Sequence, residues 1–557
     1  MKTKIIITIS IIFLTHFACK EVQTNDIAII NPSKENPFIW EGANLYFLLT
    51  DRFNNADTTN DLNFGRTDET AVLRGFKGGD IKGITQKINA GYFTDLGINA
   101  IWMTPLVEQI HGSTDEGTGV TYGFHGYWTK DWTALDPNFG TPEDLKELVV
   151  TAHKNGIRIV MDAVINHTGP VTPIDAVWPD DWVRTSPKCT YESYETAITC
   201  TLVENLPDIL TESNEEVELP TYLVEKWKSE GRYEQEMKEL EEFFERTGYP
   251  KAPRFYIIKW LTDYIKDYGI DGYRADTVRH IEESVWMEFK KECEYSFNLW
   301  KKNNPEKVLD DNSFYLVGEV YGYEIIKNGT KFDFGDKKVD YYANGFNSMI
   351  NFEFKGNANE SYEEIFSRYS IALHGDLKGK EILNYVSSHD DSYPFDMERK
   401  RPFESATKLL LSPGTSQVYY GDEVARTLIV EGTNGDATLR SVMDWDFISK
   451  DGPSNAILEH WQKLGKFRRD HPAIGAGTHQ MISTSPYTFS RILQRENISD
   501  AVIVGLDLPK GEKEILVSSI FNNGDVLLDK YSNNTAVVKD GKAVILTEFN
   551  IVLLELK

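Results

Sequence analysis

Residues 269–280 of this sequence bring together side chains that can do acid–base chemistry. Arg274 and Asp276 are two residues apart in a short segment with a helix-like pattern before it. If the segment is a β-strand, both side chains lie on the same face of it. A guanidinium fixed beside a carboxylate keeps that carboxylate ionised, as a nucleophile requires. A structural ion pair at the end of a strand is the alternative, and this pair alone does not decide between the two.

Other polar side chains also follow short apolar runs in the chain. They are Asp162, Asn166, His167, Glu319, His389 and Asp390. Two or more carboxylates around one cleft suit glycosidic cleavage, in which one attacks the anomeric carbon and another protonates the departing oxygen. The four cysteines lack the close spacing of a zinc site.

The elements that would position these side chains are eight short apolar strands that alternate with helix-like segments. The predicted strands are residues 44–50, 98–103, 157–164, 270–275, 314–318, 346–352, 382–387 and 417–420. This alternation predicts a parallel sheet with crossover helices, and eight strands predict a closed (β/α)8 TIM barrel. In such barrels the reacting residues lie at the C-terminal ends of the strands.

Two segments do not fit the repeat of strand and helix. About 90 residues after the third strand are too many for an ordinary connection and predict an inserted subdomain. Short apolar runs separated by turns near the end of the chain predict an antiparallel β domain. The predicted divisions are a signal (1–19), a linker (20–38), the barrel (39–167 and 253–475), the insertion (168–252) and the C-terminal β domain (476–557).

The net charge of the chain disfavours nucleic acid as a partner. Acidic residues outnumber basic ones by 86 to 59, for a net charge of -27, and such a surface repels phosphate groups.

The N-terminal residues predict export of the protein. Lys2 and Lys4 precede a short apolar run, as in a secretory signal. Cys19 follows a small residue, which permits a lipid anchor; plain secretion is the alternative, and surface or periplasmic placement stays open. In an exported chain, Cys189 and Cys200 can form a disulfide.

A loop after the first predicted strand is rich in oxygen ligands. They are Asn55, Asp57, Asn60, Asp61 and Asp80. Such a loop suits calcium, which takes six to eight oxygens. A merely solvated Asn/Asp loop is the alternative.

Four segments in order, 162–167, 272–280, 318–320 and 388–390, make the chain resemble the α-amylase family of glycoside hydrolases. Residues 206–209 and 124–128 match further segments of that family, and residues 249–323 look most like its periplasmic bacterial members. An ordered set of motifs is more specific than any one of them.

The resemblance implies a role for each matching residue. Asp276 corresponds to the nucleophile, Glu319 to the general acid/base and Asp390 to the transition-state stabiliser. The residues implied to contact the sugar are His125, Tyr127, Arg274, Arg279 and His389. A calcium ion is implied at Asn166, Asp208 and the carbonyl of His280, and the Asn55–Asp80 loop resembles a second calcium site. The sequence departs from the family pattern at two positions. Arg279 stands where many members have Lys, and Asp391 adds a charge beside Asp390.

The resulting expectation is an exported, calcium-binding enzyme that cleaves internal α-1,4-glucosidic bonds of starch-like glucans with retention. The alternatives are a neopullulanase, a cyclodextrin-degrading enzyme or a transglycosylase of the same family. A non-catalytic starch-binding protein on the same barrel is a further alternative, although such proteins typically lose catalytic carboxylates and all three are present here.

Overall fold

The computed structural model describes residues 36–446, 448 and 452–557. The predicted signal, its Cys19 anchor and most of the predicted linker lie outside the described residues. Eight parallel strands close into a barrel in the order β1-β8-β7-β6-β5-β4-β3-β2. They are β1 (Asn44–Leu48), β2 (Ala100–Met103), β3 (Arg158–Ala163), β4 (Gly272–Ala275), β5 (Tyr315–Gly318), β6 (Ser348–Asn351), β7 (Glu381–Tyr385) and β8 (Thr415–Tyr419). The predicted (β/α)8 barrel is confirmed, and each predicted strand overlaps one of the eight.

The register of β3, β4 and β5 brings polar side chains next to one another. Arg274 on β4 is level with Asp162 on β3 and with Val317 on β5. Gly269 ends the helix before β4 with a φ of 78°, and a Cβ there would lie 2.0 Å from the Trp300 ring. This turn therefore requires glycine, and it sets where β4 begins.

The helices of eight or more residues surround the barrel or belong to the insertion. They are α1 (Ile81–Asn89), α2 (Pro142–Lys154), α3 (Thr221–Ser229), α4 (Tyr233–Thr247), α5 (Pro253–Tyr268), α6 (Glu283–Asn303), α7 (Tyr362–His374), α8 (Pro402–Leu410) and α9 (Pro453–Asp470). The sequence predicts one helix over 84–96, but α1 starts earlier, where the Asp80 side chain caps it, and stops at Asn89. A separate turn of helix covers Tyr92–Asp95. None of the described helices is long and apolar enough to cross a membrane.

The insertion between β3 and α5 is attached to the top of the barrel by backbone pairing. His167 and Asp208 form an isolated antiparallel bridge, and Ile209 donates its N–H to the Asn166 carbonyl at 2.8 Å. Cys189 and Cys200 are joined by a disulfide. Short antiparallel ribbons complete the loops: Val107–Gln109 with Thr129–Leu135, Thr114–Asp115 with Val120–Thr121, Val183–Arg184 with Asp208–Ile209, and Phe332–Asp333 with Lys338–Val339.

The C-terminal β domain is antiparallel, as predicted, and contains more strands than the sequence indicates. They are β9 (Thr478–Thr484), β10 (Tyr487–Arg495), β11 (Ile498–Leu506), β12 (Gly511–Leu516), β13 (Val526–Asp529), β14 (Thr535–Val537), β15 (Lys542–Thr547) and β16 (Val552–Leu556). β12 and β15 form a two-stranded sheet and the other six form one sheet. His471, just after α9, bonds Asp500 on β11 at 2.8 Å and Glu555 on β16 at 2.6 Å, which ties the barrel to this domain.

Candidate active site

Arg274 at the end of β4 binds three carboxylates in the mouth of the barrel. Its Nη1 lies 2.6 Å from Asp276 Oδ1 and 3.0 Å from Asp162 Oδ1. Its Nη2 lies 3.1 Å from Glu319 Oε2. Burial opposes its charge, but the surrounding carboxylates, Asp162 first, raise the pKa of Arg274 well above its usual value. The guanidinium is therefore a permanent cation between Asp276 and Glu319.

Glu319 follows β5 and is held by the turn after β4. Thr277 donates its N–H to Glu319 Oε2 at 2.9 Å, from a left-handed backbone with φ 48°. Burial raises the pKa of Glu319 to about 8; Arg274 opposes this rise, and the charges of Asp276 and Asp390 add to it. Glu319 thus holds a proton at neutral pH, as a general acid must.

Asp162 on β3, which the sequence marks only as a polar residue at a strand end, binds Arg274 and two aromatic side chains. Its Oδ2 accepts hydrogen bonds from Trp102 Nε1 at 3.1 Å and from the Tyr127 hydroxyl at 2.9 Å. Burial raises its pKa to about 7, against the effect of Arg274. Asp162 fixes Arg274 and Tyr127 in one network.

Asp390 lies at the end of β7 and is the most open of the three predicted catalytic carboxylates. Its side chain is 35% exposed, and its Oδ1 lies 3.6 Å from His389 Nδ1. Burial lowers the pKa of His389 well below its usual value, and Arg440 adds to this effect. His389 is therefore neutral at pH 7. Burial also raises the pKa of Asp390.

Three predicted sugar-contact residues line one wall of the site as a row of rings. The His125 and Tyr127 rings lie 5.8 Å apart, and the Tyr127 and His389 rings lie 5.4 Å apart with 23° between their planes. The row presents imidazole nitrogens and ring faces, which suit hydroxyl groups and the apolar faces of a sugar.

Arg279 contacts a different pair of aromatic rings, Tyr191 and Tyr321. Its guanidinium carbon is 5.2 Å from the centre of the Tyr191 ring and 5.6 Å from that of Tyr321. Nη1 donates to the Tyr321 carbonyl at 3.1 Å. Both tyrosines are about half exposed. We call Arg279, Tyr191 and Tyr321 the Arg279 wall, because the guanidinium lies against both rings.

A cleft of about 860 Å³ extends from His125 and Tyr127 toward the insertion. Arg74 and Arg440 line it and share Asp436: Arg74 Nη2 lies 3.1 Å from one carboxylate oxygen and Arg440 contacts the other. These three residues carry no recognisable strand-end motif, since Asp436 and Arg440 lie in a short 3-10 helix, Gly435–Arg440, well after β8. Their charges make the far end of the cleft polar.

Two residues of the first predicted calcium site, Asn166 and Asp208, lie where the backbone of the insertion pairs with the barrel. Asp208 Oδ2 accepts from Arg184 Nε at 2.9 Å, whereas Asp208 Oδ1 is buried without a hydrogen-bond partner. The His280 ring bonds the carbonyl of Ala197 in the insertion through Nδ1 at 2.9 Å. An orphaned buried carboxylate oxygen fits a cation site.

The loop predicted to hold a second calcium ion has most of its carboxylates engaged by protein groups. Asp57 Oδ2 lies 2.5 Å from Lys82 Nζ, and Asp80 accepts backbone N–H groups, including that of Gly83 at 2.5 Å. Asn55 Nδ2 donates to Asp61 Oδ1 at 2.8 Å. Within the described ranges, no three His, Cys, Asp or Glu side chains are grouped to hold a metal. Asp57, Asp61 and Asp80 are therefore not gathered into one site.

Chemically, the mouth of the barrel offers a protonated acid, Glu319, and a carboxylate, Asp276, on the two terminal nitrogens of one guanidinium. Asp390 adds a third carboxyl group from the segment after β7. Such an arrangement can attack a positively polarised carbon, protonate a departing oxygen and stabilise developing positive charge. The ring wall and the polar cleft suit a neutral, polyhydroxylated substrate.

Comparisons with known proteins agree with this geometry. A model of the α-amylase catalytic domain matches residues 47–463. The chain is 34% identical over 530 residues to the periplasmic α-amylase of Escherichia coli (strain K12), which covers 84% of this chain and 72% of that protein. It is 26% identical over 481 residues to a cyclomaltodextrin glucanotransferase of Thermoanaerobacterium thermosulfurigenes, covering 80% of this chain and 57% of that one.

Among solved structures, the α-amylase of Geobacillus thermoleovorans complexed with acarbose shares the fold. Its TM-score is 0.62 at 22% identity, over 93% of this chain and 99% of that one. The family model matches most of the barrel. The α-amylase of Escherichia coli is identical at about a third of the aligned positions, over most of both chains. Both findings assign the chain to the same family. This chain is a member of the α-amylase family of glycoside hydrolases.

Proposed function

We propose that this protein hydrolyses internal α-1,4-glucosidic bonds of starch-like glucans with retention of configuration at the anomeric carbon. Asp276 attacks the anomeric carbon while Glu319 gives its proton to the departing glycosidic oxygen. Water then enters, Glu319 takes a proton from it, and the bond to Asp276 is broken from the same face. Asp390 stabilises the positive charge that develops on the sugar in both steps.

The observation that carries this proposal is the sharing of Arg274 by Asp276 and Glu319. One guanidinium within 2.6 Å of Asp276 and 3.1 Å of Glu319 holds both carboxyl groups at the same opening. Retaining enzymes need the two groups about 5 Å apart, because the nucleophile itself replaces the water of an inverting enzyme. The pKa of about 8 at Glu319 supports its role as the acid of the pair.

The substrate is bound on both sides of this pair. His125, Tyr127 and His389 form the ring wall on one side, and the Arg279 wall receives the part of the glucan beyond the cleaved bond. The polar end of the cleft at Asp436 and Arg440 accepts further sugar units through their hydroxyl groups. The cleft of about 860 Å³ beside His125 and Tyr127 gives these units room, which supports cleavage within a chain.

A calcium ion at Asn166, Asp208 and the His280 carbonyl is proposed to tie the insertion to the barrel. The orphaned Oδ1 of Asp208 supports this assignment. When bound, the ion would supply a fixed positive charge for that carboxylate and so stabilise the top of the barrel. The Asn55–Asp80 loop fits a second ion less well, since Lys82 and backbone N–H groups occupy its carboxylates, although Asn60 Oδ1 is buried without a partner.

Export is proposed from the N-terminal pattern, and the name of the periplasmic relative supports it. The disulfide between Cys189 and Cys200 suits an oxidising compartment. Attachment through a lipid on Cys19 is part of this proposal, and metabolic labelling with a radioactive fatty acid tests it. Wild type should carry the label and Cys19→Ser should not.

The proposal is tested by replacing Glu319 with Gln and measuring turnover and binding of a soluble maltooligosaccharide. Turnover should fall by about 10²- to 10⁴-fold, because the acid is lost, while the dissociation constant changes by less than about tenfold. Glu242→Gln, on the exposed face of α4, is the matched control and should behave as the wild type. Undiminished turnover by the Glu319 variant would refute the assignment.

The similarity to a cyclomaltodextrin glucanotransferase keeps sugar transfer as a second candidate. In transfer, a sugar hydroxyl in place of water attacks the intermediate on Asp276. Digestion of starch, pullulan and cyclodextrins distinguishes the two. Linear maltooligosaccharides from starch support hydrolysis, whereas cyclic products support transfer.

A further inference from the structure

Asp391 directly follows the proposed stabiliser Asp390, and the family resemblance gives it no role. It is nearly fully buried, with a side chain that is 2% exposed, and it forms an ion pair with Lys355. Lys355 follows β6 on a short helix, Phe354–Asn357. The pair therefore connects the C-terminal ends of two neighbouring barrel strands, β6 and β7.

The three proposed catalytic carboxylates differ in how they are held. Asp276 is fixed by Arg274 at 2.6 Å, and Glu319 by Arg274 and by the Thr277 N–H at 2.9 Å. The carboxylate of Asp390 has a looser contact, with the neutral His389 at 3.6 Å. Its position is therefore set mainly by the backbone on either side of it rather than by a strong bond to the carboxylate.

That backbone is held on both sides. Before Asp390, Arg440 Nε donates to the His389 carbonyl at 2.9 Å. After it, Asp391 Oδ1 binds the Lys355 ammonium and also accepts the Tyr393 N–H at 3.1 Å. Further on, Phe395 donates its N–H to the Val386 carbonyl at 2.8 Å, which closes the loop.

We infer that the Lys355–Asp391 ion pair positions Asp390 for catalysis, an inference that rests on the proposed function. A buried carboxylate needs a compensating cation, and Lys355 is its only ion-pair partner among the described residues. Asp391 Oδ2 is buried without a hydrogen-bond partner, so the side chain is held through Oδ1 alone. Without the ammonium, Asp391 would turn toward water and release the segment that carries Asp390.

The expected consequence lies in the transition state. Asp390 is proposed to act on charge that exists only there, so its displacement lowers kcat and kcat/KM together and leaves KM nearly unchanged. A displacement of about 1 Å in an active site costs up to about 100-fold in rate. Lys355→Met should therefore lower kcat by about 10- to 100-fold.

The test measures kcat, KM and the melting temperature of a set of variants on a soluble maltooligosaccharide. Lys355→Met and Asp391→Asn should both lower kcat, and the double variant should lose no more than the worse single one, because both act through one pair. Lys355→Arg should keep most of the wild-type kcat, since it retains a cation beside Asp391. Lys238→Met, which removes an exposed lysine on α4, is the control and should match the wild type.

Asp391→Asn keeps the shape of the side chain and the acceptor for the Tyr393 N–H, so it serves if Lys355→Met does not fold. Wild-type kcat in folded Asp391→Asn would overturn the inference. A kcat of Lys355→Arg as low as that of Lys355→Met would also overturn it. A lower melting temperature with unchanged kcat would show a structural role only and would also overturn it. Failure of the wild type to cleave the glucan would instead refute the proposed function.

Discussion

Replacing Glu319 with Gln should make the protein more stable, and the gain should grow as the pH rises. Burial raises the pKa of Glu319 from 4.5 to about 8 in the folded protein, whereas the unfolded chain keeps the ordinary value. The folded state therefore binds the proton more tightly. The stability linked to this proton is complete below about pH 4.5 and is lost as the pH rises toward 8.

The magnitude depends on the size of this shift. One pKa unit corresponds to about 1.4 kcal/mol. Relative to a permanently neutral side chain, Glu319 thus lowers the free energy of unfolding by about 1 kcal/mol at pH 5 and about 3 kcal/mol at pH 7. Because Gln has no such proton, the advantage of the variant over the wild type should increase by about 2 kcal/mol between these two pH values.

Urea unfolding followed by tryptophan fluorescence measures this difference at pH 5 and pH 7 for both proteins. Glu242→Gln is the matched control, because that carboxylate is 64% exposed on α4; its effect should not change with pH. A Glu319→Gln variant whose advantage is constant, or larger at pH 5, would show that Glu319 is not an acid with a raised pKa. The assignment of the proton donor would then have no electrostatic basis.

Three further outcomes are expected. The alkaline limb of the profile of kcat/KM against pH should lie near 8, where Glu319 loses its proton; a limb below about pH 6 would contradict this. Burial opposes the charge on His471, but Asp500 and Glu555 raise its pKa to about 9, so the stability it adds is complete below about 6.5 and is lost as the pH rises through 9. His471→Gln should therefore lower the melting temperature at pH 6 and have much less effect at pH 10; an equal effect at both would contradict this. Chelation with EGTA should lower the melting temperature of the wild type but hardly that of Asp208→Asn, and no response in the wild type would argue against calcium at this site.

The barrel is predictable from the sequence because its strands are short, largely apolar and separated by helices. All five residues of β1 are buried, and its run Leu45–Leu48 is the continuous apolar pattern that is typical of a parallel strand. The C-terminal domain was harder to divide. β9 has partly exposed or exposed residues throughout, so it lacks the alternation of apolar and polar residues that marks a half-buried strand.

The site shows a similar division between residues at strand ends and residues in loops. Arg274 and Asp276 were predicted to lie together because spacing along one strand fixes their direction. Lys355 and Arg440 are not predictable in this way because they reach Asp391 and His389 from short helices that follow other strands. No local pattern encodes a contact between residues so far apart in sequence. The carboxylates of the Asn55–Asp80 loop were expected to face one ion. The composition of the loop gives the number of its oxygen ligands. It does not show that Lys82 and backbone N–H groups already bind those oxygens.

The central claim is that Asp276 and Glu319 act as nucleophile and acid on one sugar, and the anomeric form of the first product tests it most directly. Proton NMR during the first minutes of hydrolysis, before mutarotation, resolves the two anomers of the new reducing end. We predict that the α-anomer appears first and the β-anomer only later. Initial release of the β-anomer would contradict attack by Asp276 and with it the assignment of both residues.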